Sequence, residues 1–356
     1  WQCGDALTCA RECVMGNIDY TSIGVTSNAS DTITMTLQPS SPRGYLLDPT
    51  GENYQLFKLQ NAEFTYDVDT SKVPCGVNGA LYFVSMEADG SMRASNSTNT
   101  AGARYGTGYC DAQCRKTPTF INGKANFNSS IGACCQEMDI WEGNSVSTAY
   151  TPHTCTGPNT LFECTGAACN VTAGNSCDSP GCDFNPYRLG NRAFYGPGKK
   201  VDTTKKFTVV TQFLNDPSSG VLQEIRRLYV QSGKVVSNAA VSIPGLPSVD
   251  SLFQDFCAAK TEVLAEKDRF TQHGGMAKMG KALSQGMVLA MSIWDDKGGN
   301  MLWLDSTTPP NSTALGASRG SCPSEPYPAV LDAAHKEASV VFGNIKWGDL
   351  NSTFSV

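Results

Sequence analysis

Apolar and polar residues alternate along several stretches of the chain, which is the period of β-strands that bury one face. Over residues 32–37 isoleucine, methionine and leucine alternate with threonine, and over residues 64–69 two aromatic residues and a valine alternate with threonine and aspartate. Apolar runs predict further strands at residues 79–86, 207–213, 225–230, 287–294, 301–304 and 340–345. Apolar residues recur at helical spacing mainly in residues 249–267, where we predict a helix.

Long loops rich in glycine, proline and cysteine separate the predicted strands. This pattern predicts an all-β fold, a sandwich of two large antiparallel sheets with a concave face open to a ligand. The segment from Cys155 to Cys182 is dense in glycine and cysteine, so we expect a disulfide-stapled loop over the cleft. No low-complexity linker interrupts the 356 residues, and residues 1–356 are predicted to form one domain.

The overall charge narrows the class of partner. The formal net charge is −6, and lysine and arginine do not cluster, whereas nucleic acids and anionic membrane surfaces attract a positively charged face. No apolar run reaches the 18 or so residues that a membrane-spanning helix needs. We therefore expect a neutral ligand, with neither a nucleic acid nor a membrane as partner.

The chain contains 15 cysteines, far more than is usual in a reducing cytosol. Six Asn-x-Ser/Thr sequons accompany them, at Asn28, Asn96, Asn128, Asn170, Asn311 and Asn351. Together these features predict a mature, secreted glycoprotein. Zinc binding by Cys110, Cys114 and the cysteine pair at 134–135 is the competing interpretation, but the other cysteine spacings match no metal signature.

Three carboxylates, Glu137, Asp139 and Glu142, fall within six residues and are separated at first by apolar residues. On a strand, Glu137 and Asp139 share a face about 7 Å apart, close enough for each to alter the other's pKa. Glu142 joins that face only if the strand bends or bulges near residues 141–143, and we place the predicted bend at Gly143.

Paired carboxylates are what glycoside hydrolysis requires, since one protonates the leaving oxygen while the other attacks the anomeric carbon or activates water. This chemistry needs no metal and no other cofactor. A solvated acidic strand edge without a catalytic role is the competing interpretation of the same residues.

The run EMDIWE at residues 137–142, preceded by the cysteine pair at 134–135, resembles the signature of glycoside hydrolase family 7. This family of retaining cellulases includes reducing-end cellobiohydrolases and endo-β-1,4-glucanases. The similarity covers nearly the whole chain, through residues 81–84, 105–111, 185–190, 286–289 and 344–346. It implies a concanavalin-like jelly roll and cellulose or another β-glucan chain as the partner. We expect a secreted monomer.

The resemblance also implies a disulfide pattern. The implied pairs are Cys3–Cys9, Cys75–Cys322, Cys110–Cys135, Cys114–Cys134, Cys155–Cys177, Cys164–Cys169 and Cys182–Cys257. Cys13 is left without a partner. Members of the family carry a further segment before the position of Trp1, including a cysteine that would pair with Cys13, so we expect this sequence to be incomplete at its N-terminus.

By the same resemblance, Glu137 is the expected nucleophile, Glu142 the expected acid/base and Asp139 an assisting acid. The two main roles need different pKa values. We expect a neighbouring negative charge to raise the pKa of Glu142 and hydrogen bonding to lower the pKa of Glu137. Asp139 can supply such a hydrogen bond if it keeps its proton.

The family implies sugar contacts as well. His153 is expected to donate to a sugar hydroxyl, although a lone histidine is more often structural. Trp294 and Trp303, placed at predicted strand ends, are expected to stack on pyranose rings rather than to fill the core. The polar residues expected to bind ring-edge hydroxyls are Arg43, Asn78, Tyr82, Asp111, Gln113, Arg188 and Arg319.

Loop lengths bear on where the substrate is cut. Residues 122–133 and 169–177 are short beside the loops of the family's cellobiohydrolases, and Pro180 stands where those enzymes carry a product-binding aspartate. Residues 256–275 and 305–322, with Arg319, resemble the cellobiohydrolases instead. We expect an endoglucanase with a partly covered cleft and keep a reducing-end cellobiohydrolase as the alternative. A non-catalytic carbohydrate-binding protein is less favoured, because all three acids are present.

Overall fold

The computed structural model of the protein describes residues 5, 8, 18–28, 31–39, 41–93, 97, 99–117, 120–126, 129–324 and 337–355. The implied disulfide Cys3–Cys9, the unpaired Cys13 and the sequons at Asn96 and Asn128 lie outside these residues.

Short and long strands make up most of the regular structure in this part of the chain. The strands are β1 (Val25–Ser27), β2 (Thr32–Thr36), β3 (Arg43–Tyr45), β4 (Leu56–Phe57), β5 (Ala62–Lys72), β6 (Val77–Val84), β7 (Phe120–Ile121), β8 (Lys124–Ala125), β9 (Ile131–Cys134), β10 (Glu137–Gly143), β11 (Thr148–His153), β12 (Phe162–Thr165), β13 (Tyr195–Gly196), β14 (Val201–Asp202), β15 (Phe207–Asn215), β16 (Leu222–Gln231), β17 (Lys234–Ser237), β18 (Ser251–Phe253), β19 (Met287–Asp295) and β20 (Ser339–Asp349). The α-helices are α1 (Gln254–Val263), α2 (Arg269–Gln272), α3 (Gly275–Gln285) and α4 (Leu302–Asp305), and 3-10 turns span Tyr20–Ile23, Ala103–Tyr105 and Gly166–Cys169.

Two large antiparallel sheets pack face to face. In the larger sheet the strand order is β1-β2-β20-β5-β15-β16-β17, with β18 paired to β16, and in the smaller sheet it is β11-β10-β6-β19-β3, with β4 paired to β19. Alternate residues of β5, including Phe64 and Tyr66, meet Phe83 and Met138 of the smaller sheet in one buried apolar cluster. The predicted β-sandwich is therefore confirmed.

Most of the predicted strands are present, because their alternating or continuous apolar residues are those that the sandwich buries. The exception is the strand expected at residues 301–304, which is wrong. This segment forms the short helix α4, and Asn300 and Met301 before it have φ angles of 51° and 55°, which turn the chain away from an extended path.

The predicted helix at residues 249–267 is shorter than expected. Its first part is strand β18, which pairs with Glu224–Arg226 of β16, and α1 begins only at Gln254. Helix α3, which buries Met276, Met279 and Leu283 on one face, was not predicted from the sequence. No helix in the described ranges is long and apolar enough to cross a membrane.

Six of the implied disulfides are present. They are Cys75–Cys322, Cys110–Cys135, Cys114–Cys134, Cys155–Cys177, Cys164–Cys169 and Cys182–Cys257. The four cysteines of the zinc interpretation are thus cross-linked to one another and offer no thiolates to a metal. Three of the bonds close or anchor the segment from Cys155 to Cys182, as the stapled-loop prediction required.

Candidate active site

A β-bulge in strand β10 decides where its three acids point. Three steps along β10, from Asp139 to Glu142, match only two steps along β11, and the register to β6 shifts over the same stretch. Ile140 and Trp141 are consecutive, yet both are fully buried in the core between the sheets. The extra residue returns Glu142 to the face that carries Glu137 and Asp139.

The bend expected at Gly143 lies earlier in the chain. Gly143 pairs regularly with Gly79 and Thr148, and the extra residue precedes Glu142. The physical cause is packing, since Trp141 is the largest fully buried side chain and its indole must lie between the sheets beside the preceding isoleucine.

The three acids line a cleft of about 840 Å³ on the face of the smaller sheet that points away from the core. Eight of the expected contact residues also line it: Arg43, Tyr82, Asp111, Gln113, His153, Trp294, Trp303 and Arg319. The structure does not bring Asn78 and Arg188 to the cleft surface. Tyr109, Asp183 and Arg269 line it without having been predicted.

Glu137 is 5% exposed, and its Oε2 atom accepts a hydrogen bond from the backbone N–H of Ala112 (2.9 Å). Burial raises the pKa of Glu137 well above its usual range, and the charges of Asp139 and Asp111 raise it further. The expectation of a lowered pKa for Glu137 is therefore wrong. Burial and two neighbouring acids outweigh the hydrogen bond from one backbone amide.

Glu142 is oriented by Asn78, whose Nδ2 group donates to the Oε1 atom of Glu142 (2.9 Å). The Oδ1 atom of the same amide accepts from the backbone N–H of Gly143 (2.9 Å). Burial, and then the charge of Asp139, raise the pKa of Glu142 well above its usual range, in the predicted direction. Both polar groups of the Asn78 side chain are thus engaged in holding Glu142 and the residue after it. The surroundings of Glu142 favour its protonated form.

His153 uses both ring nitrogens within the protein. Its Nδ1 atom lies 2.8 Å from the carbonyl oxygen of Asp178, and its Nε2 atom lies 2.8 Å from Oδ2 of Asp139. A carbonyl oxygen only accepts, so Nδ1 carries a proton and donates it. His153 therefore lines the cleft as expected, but its hydrogen bonds orient Asp139 and leave neither nitrogen for a sugar hydroxyl.

A chain of hydroxyl and carboxylate groups forms the wall near Glu137. The hydroxyls of Tyr82 and Tyr109 lie 3.1 Å apart, and the Tyr109 hydroxyl donates to Oδ2 of Asp111 (2.9 Å). The guanidinium of Arg43 lies 3.7 Å above the Tyr109 ring. Tyr109 belongs to the segment 105–111 that carries the family resemblance, so a signal for it existed in the sequence.

Two tryptophans form an apolar platform at another part of the cleft. Trp294 is the penultimate residue of β19 and Trp303 lies in α4, and their ring centroids are 6.0 Å apart with planes 29° from parallel. The Nε1 group of Trp303 donates to Oδ2 of Asp296 (3.1 Å). Both side chains are only partly buried, so their faces can cover the C–H face of a pyranose ring.

Arg188 lies behind the cleft wall in a cluster of buried ion pairs. Its guanidinium pairs with the carboxylates of Asp183 and Glu266, and 3% of its side chain is exposed. Lys260 also pairs with Asp183, while Arg319, which reaches the cleft, lies 3.7 Å from both acids. These cations hold the pKa of Asp183 well below its usual range although burial acts in the opposite direction. Sequence spacing gave no signal for Lys260 and Glu266.

A metal ion has one candidate position in the cleft among the described residues. Glu137, Asp139 and His153 offer ligand atoms that all lie within 4.8 Å of one another. The ring of His153 is already bonded at both nitrogens, however, so a metal ion would have to replace its hydrogen bond to Asp139.

Two buried acids, a third that is partly buried and a tryptophan platform in one cleft of an antiparallel sandwich define a site for carbohydrate hydrolysis. The sequence matches the model of glycosyl hydrolase family 7 over residues 1–354. The chain belongs to this family and is a glycoside hydrolase of the cellulase type.

Solved structures of both kinds of cellulase are similar to this chain. The GH7 family cellobiohydrolase from Daphnia pulex is 41% identical, with a TM-score of 0.93 and coverage of 99% of this chain and 86% of that chain. The Melanocarpus albomyces cellobiohydrolase complexed with cellotetraose is 38% identical, with a TM-score of 0.91 and coverage of 99% and 86%. The Humicola insolens endocellulase EGI is 41% identical, with a TM-score of 0.86 and coverage of 99% and 84%.

Proposed function

We propose that the protein hydrolyses internal β-1,4-glucosidic bonds of cellulose or a related β-glucan, with retention of the anomeric configuration. The observation that carries this proposal is the bulge in β10, which places Glu137, Asp139 and Glu142 on one wall of the cleft. The structure supplies a different hydrogen-bond partner to each acid, as a mechanism with distinct roles requires.

In the first step, Glu137 attacks the anomeric carbon while Glu142 donates its proton to the glycosidic oxygen, so the leaving sugar departs uncharged. In the second step, ionised Glu142 takes a proton from water, and the water oxygen replaces Glu137 at the anomeric carbon. Both acids are then restored. Asp139, bonded to His153, provides a fixed neighbouring acid, and the charge that Asp139 acquires when it ionises supports the proton on Glu142.

The substrate chain is held by the residues that line the cleft on either side of the acids. Trp294 and Trp303 stack on sugar rings, because both indoles line the cleft and are partly exposed there. The remaining contacts are hydrogen bonds between ring-edge hydroxyls and the side chains of Arg43, Tyr82, Asp111, Gln113 and Arg319, of which Asp111 accepts.

Cleavage at internal bonds of the substrate is supported by the short protein segment that joins β7 to β9. The side chain of Asn122 donates to Glu163 (2.9 Å), and that of Asn126 donates to the carbonyl of Lys116 (2.9 Å). These bonds tie the segment to neighbouring loops. None of its described residues, 120–126 and 129–134, lines the cleft, so these residues add no cover over the substrate.

The experiment is to compare viscosity loss with sugar release on carboxymethyl cellulose. An open cleft admits the bulky substituents, so the wild-type protein should lower viscosity early while releasing little soluble sugar. Glu137→Gln serves as the control for contaminating activity. The endo-acting mode would be rejected by two results obtained with the same enzyme preparation. The viscosity of carboxymethyl cellulose would stay high, and amorphous cellulose would yield cellobiose as nearly the sole product.

Reducing-end cellobiohydrolase action is the second candidate, and the backbone comparison favours it. The TM-scores are 0.93 and 0.91 with the two cellobiohydrolases and 0.86 with the endocellulase. Arg319 also lies on the cleft wall. A processive enzyme holds its chain through contacts that must all break before release, so a ratio of soluble to insoluble reducing ends that stays high throughout hydrolysis would select this candidate.

The protein is proposed to act outside the cell as a monomer. The six disulfides suit an oxidising compartment, and the four sequon asparagines among the described residues, Asn28, Asn170, Asn311 and Asn351, are exposed. Treatment of the secreted protein with an N-glycosidase should lower its mass, and sedimentation should give the monomer mass. An unchanged mass would remove glycosylation from the proposal.

A further inference from the structure

A buried arginine crosses the core to the bulge that carries the catalytic acids. Arg227 lies on β16 of the larger sheet and is 1% exposed. Its inward-facing neighbours at alternate positions are Ile225 and Tyr229, both buried, so an apolar residue would be expected in its place. Its Nη2 group instead donates to the carbonyl oxygen of Ile140 on β10.

The carbonyl of Ile140 belongs to the residue that the bulge leaves unpaired. Asp139 and Glu142 have partners on β11, and Met138 and Trp141 have partners on β6, but Ile140 has none on either neighbouring strand. A buried carbonyl outside the ladder is costly unless another donor reaches it. Arg227 is that donor, and it comes from a strand 87 residues away in the sequence.

The surroundings of Arg227 indicate that its hydrogen bond to the Ile140 carbonyl is the main role of this side chain. No carboxylate in the described part of the chain forms an ion pair with it, and its Nε and Nη1 groups have no hydrogen-bond partner there. The faces of Tyr150 and Tyr229 lie 4.4 and 5.9 Å from its guanidinium carbon, and such contacts stabilise a buried cation.

We infer that Arg227 is a positioning residue that holds the β10 bulge, and through it the place of Glu142 relative to Glu137. In a regular register Glu142 would turn to the opposite face. By binding the Ile140 carbonyl, Arg227 favours the register in which the acids share the cleft. This inference rests on the proposed function, because it assumes that Glu142 is the acid/base.

The test exploits leaving groups that differ in their need for a proton. Cellopentaose releases a sugar that must be protonated, whereas 2,4-dinitrophenyl β-cellobioside releases a stable anion that needs no acid. For Arg227→Met, kcat/KM on cellopentaose should fall by about 10- to 100-fold, since small misplacement of a catalytic group costs this much. On the dinitrophenyl substrate kcat/KM should fall by less than about 3-fold.

A second measurement isolates the base role of Glu142. Azide attacks the glycosyl-enzyme without a general base, so it should raise kcat of Arg227→Met on the dinitrophenyl substrate and yield the β-cellobiosyl azide. Arg226→Met is the matched control, because Arg226 lies on the same strand, faces outward and pairs with Glu224. Its activity on both substrates should match that of the wild-type protein.

Arg227→Lys covers the case in which Arg227→Met does not fold. It keeps a buried cation and one donor but loses the planar fork, so it should show a smaller loss with the same dependence on leaving group. Equal losses on both substrates, or no loss in a folded variant, would overturn the inference. Glu142→Gln is measured alongside: if it shows no dependence on leaving group, the proposed function fails instead.

Discussion

The Nε2 atom of His153 lies 2.8 Å from the Oδ2 atom of Asp139, and one proton has to serve both side chains. Because Nδ1 of His153 donates to the Asp178 carbonyl, a neutral imidazole can only accept at Nε2. Asp139 then donates as a carboxylic acid, and burial, followed by the charge of Asp111, raises its pKa well above the usual range. Asp139 therefore carries no charge until it loses this proton.

Asp139→Asn should therefore preserve the geometry but change the pH dependence. The Asn amide can donate to Nε2 of His153 as the protonated acid does, while the negative charge that supports the proton on Glu142 can no longer form. Glu142 should then lose its proton at lower pH. We expect the basic limb of the kcat/KM profile to move to lower pH with little change in melting temperature.

The profile of Asp139→Asn is measured on cellopentaose, with Asp139→Ala as the comparison that also removes the hydrogen bond. A basic limb that stays in place or moves to higher pH would mean that the charge of Asp139 does not act on Glu142.

Glu137→Gln should abolish hydrolysis while leaving binding intact. The amide keeps the shape of the carboxylate but cannot attack the anomeric carbon, so kcat should fall by at least about 1,000-fold. Calorimetric titration with cellotetraose should still give binding close to that of the wild-type protein. Glu52→Gln, an exposed residue paired only with Arg104, should leave kcat unchanged.

Retention of more than about a tenth of the wild-type rate by Glu137→Gln would remove Glu137 from the nucleophile role.

Hydrolysis should keep the β configuration of the product. In retaining enzymes the two carboxyl groups lie about 5 to 5.5 Å apart, too close for a water molecule to attack from the opposite face, and Glu137 and Glu142 should share this separation. Proton NMR during the first minutes of cellopentaose hydrolysis should show the β anomer before mutarotation. Early appearance of the α anomer would indicate an inverting mechanism and a separation above about 6.5 Å.

Alternation along β10 was enough to predict that Glu137 and Asp139 share a face, because that depends only on the period of a strand. The position of the bulge depends on how Ile140 and Trp141 fill the space between two sheets and on a donor from β16. Neither is encoded in the local pattern around Glu142. The disulfides followed from family resemblance, since spacing alone leaves many pairings open.

Residue types at the site could be predicted more reliably than their partners. His153 lines the cleft as expected, but its role depends on the carbonyl of Asp178, and any residue type supplies a carbonyl. Arg188 was expected on the surface of the cleft, whereas Asp183 and Glu266 hold it behind the wall. Such partners come from distant segments, so sequence spacing contains no signal for them.

Asp305 should make the stability of the protein depend on pH. Its carboxyl group is fully buried, and its Oδ2 atom accepts from the N–H of Gly76 (2.8 Å) and from Nδ2 of Asn144 (2.7 Å), the residue after β10. Burial raises the pKa of Asp305 to about 6, from 3.8 in an unstructured chain. The folded protein thus holds this proton more tightly than the unfolded chain does.

Because the folded protein binds this proton more tightly, Asp305 contributes to the free energy of unfolding fully below pH 3.8. The contribution is lost as the pH rises through about 6. Asp305→Asn keeps an oxygen acceptor for Gly76 and Asn144 and cannot ionise. At pH 7 its free energy of unfolding should exceed that of the wild-type protein by up to about 3 kcal/mol, and the two should converge near pH 3.5. Urea unfolding at three pH values measures this difference, with the exposed Asp349→Asn as control. A variant that is less stable than the wild type at pH 7 would show that the two hydrogen bonds require the ionised carboxylate.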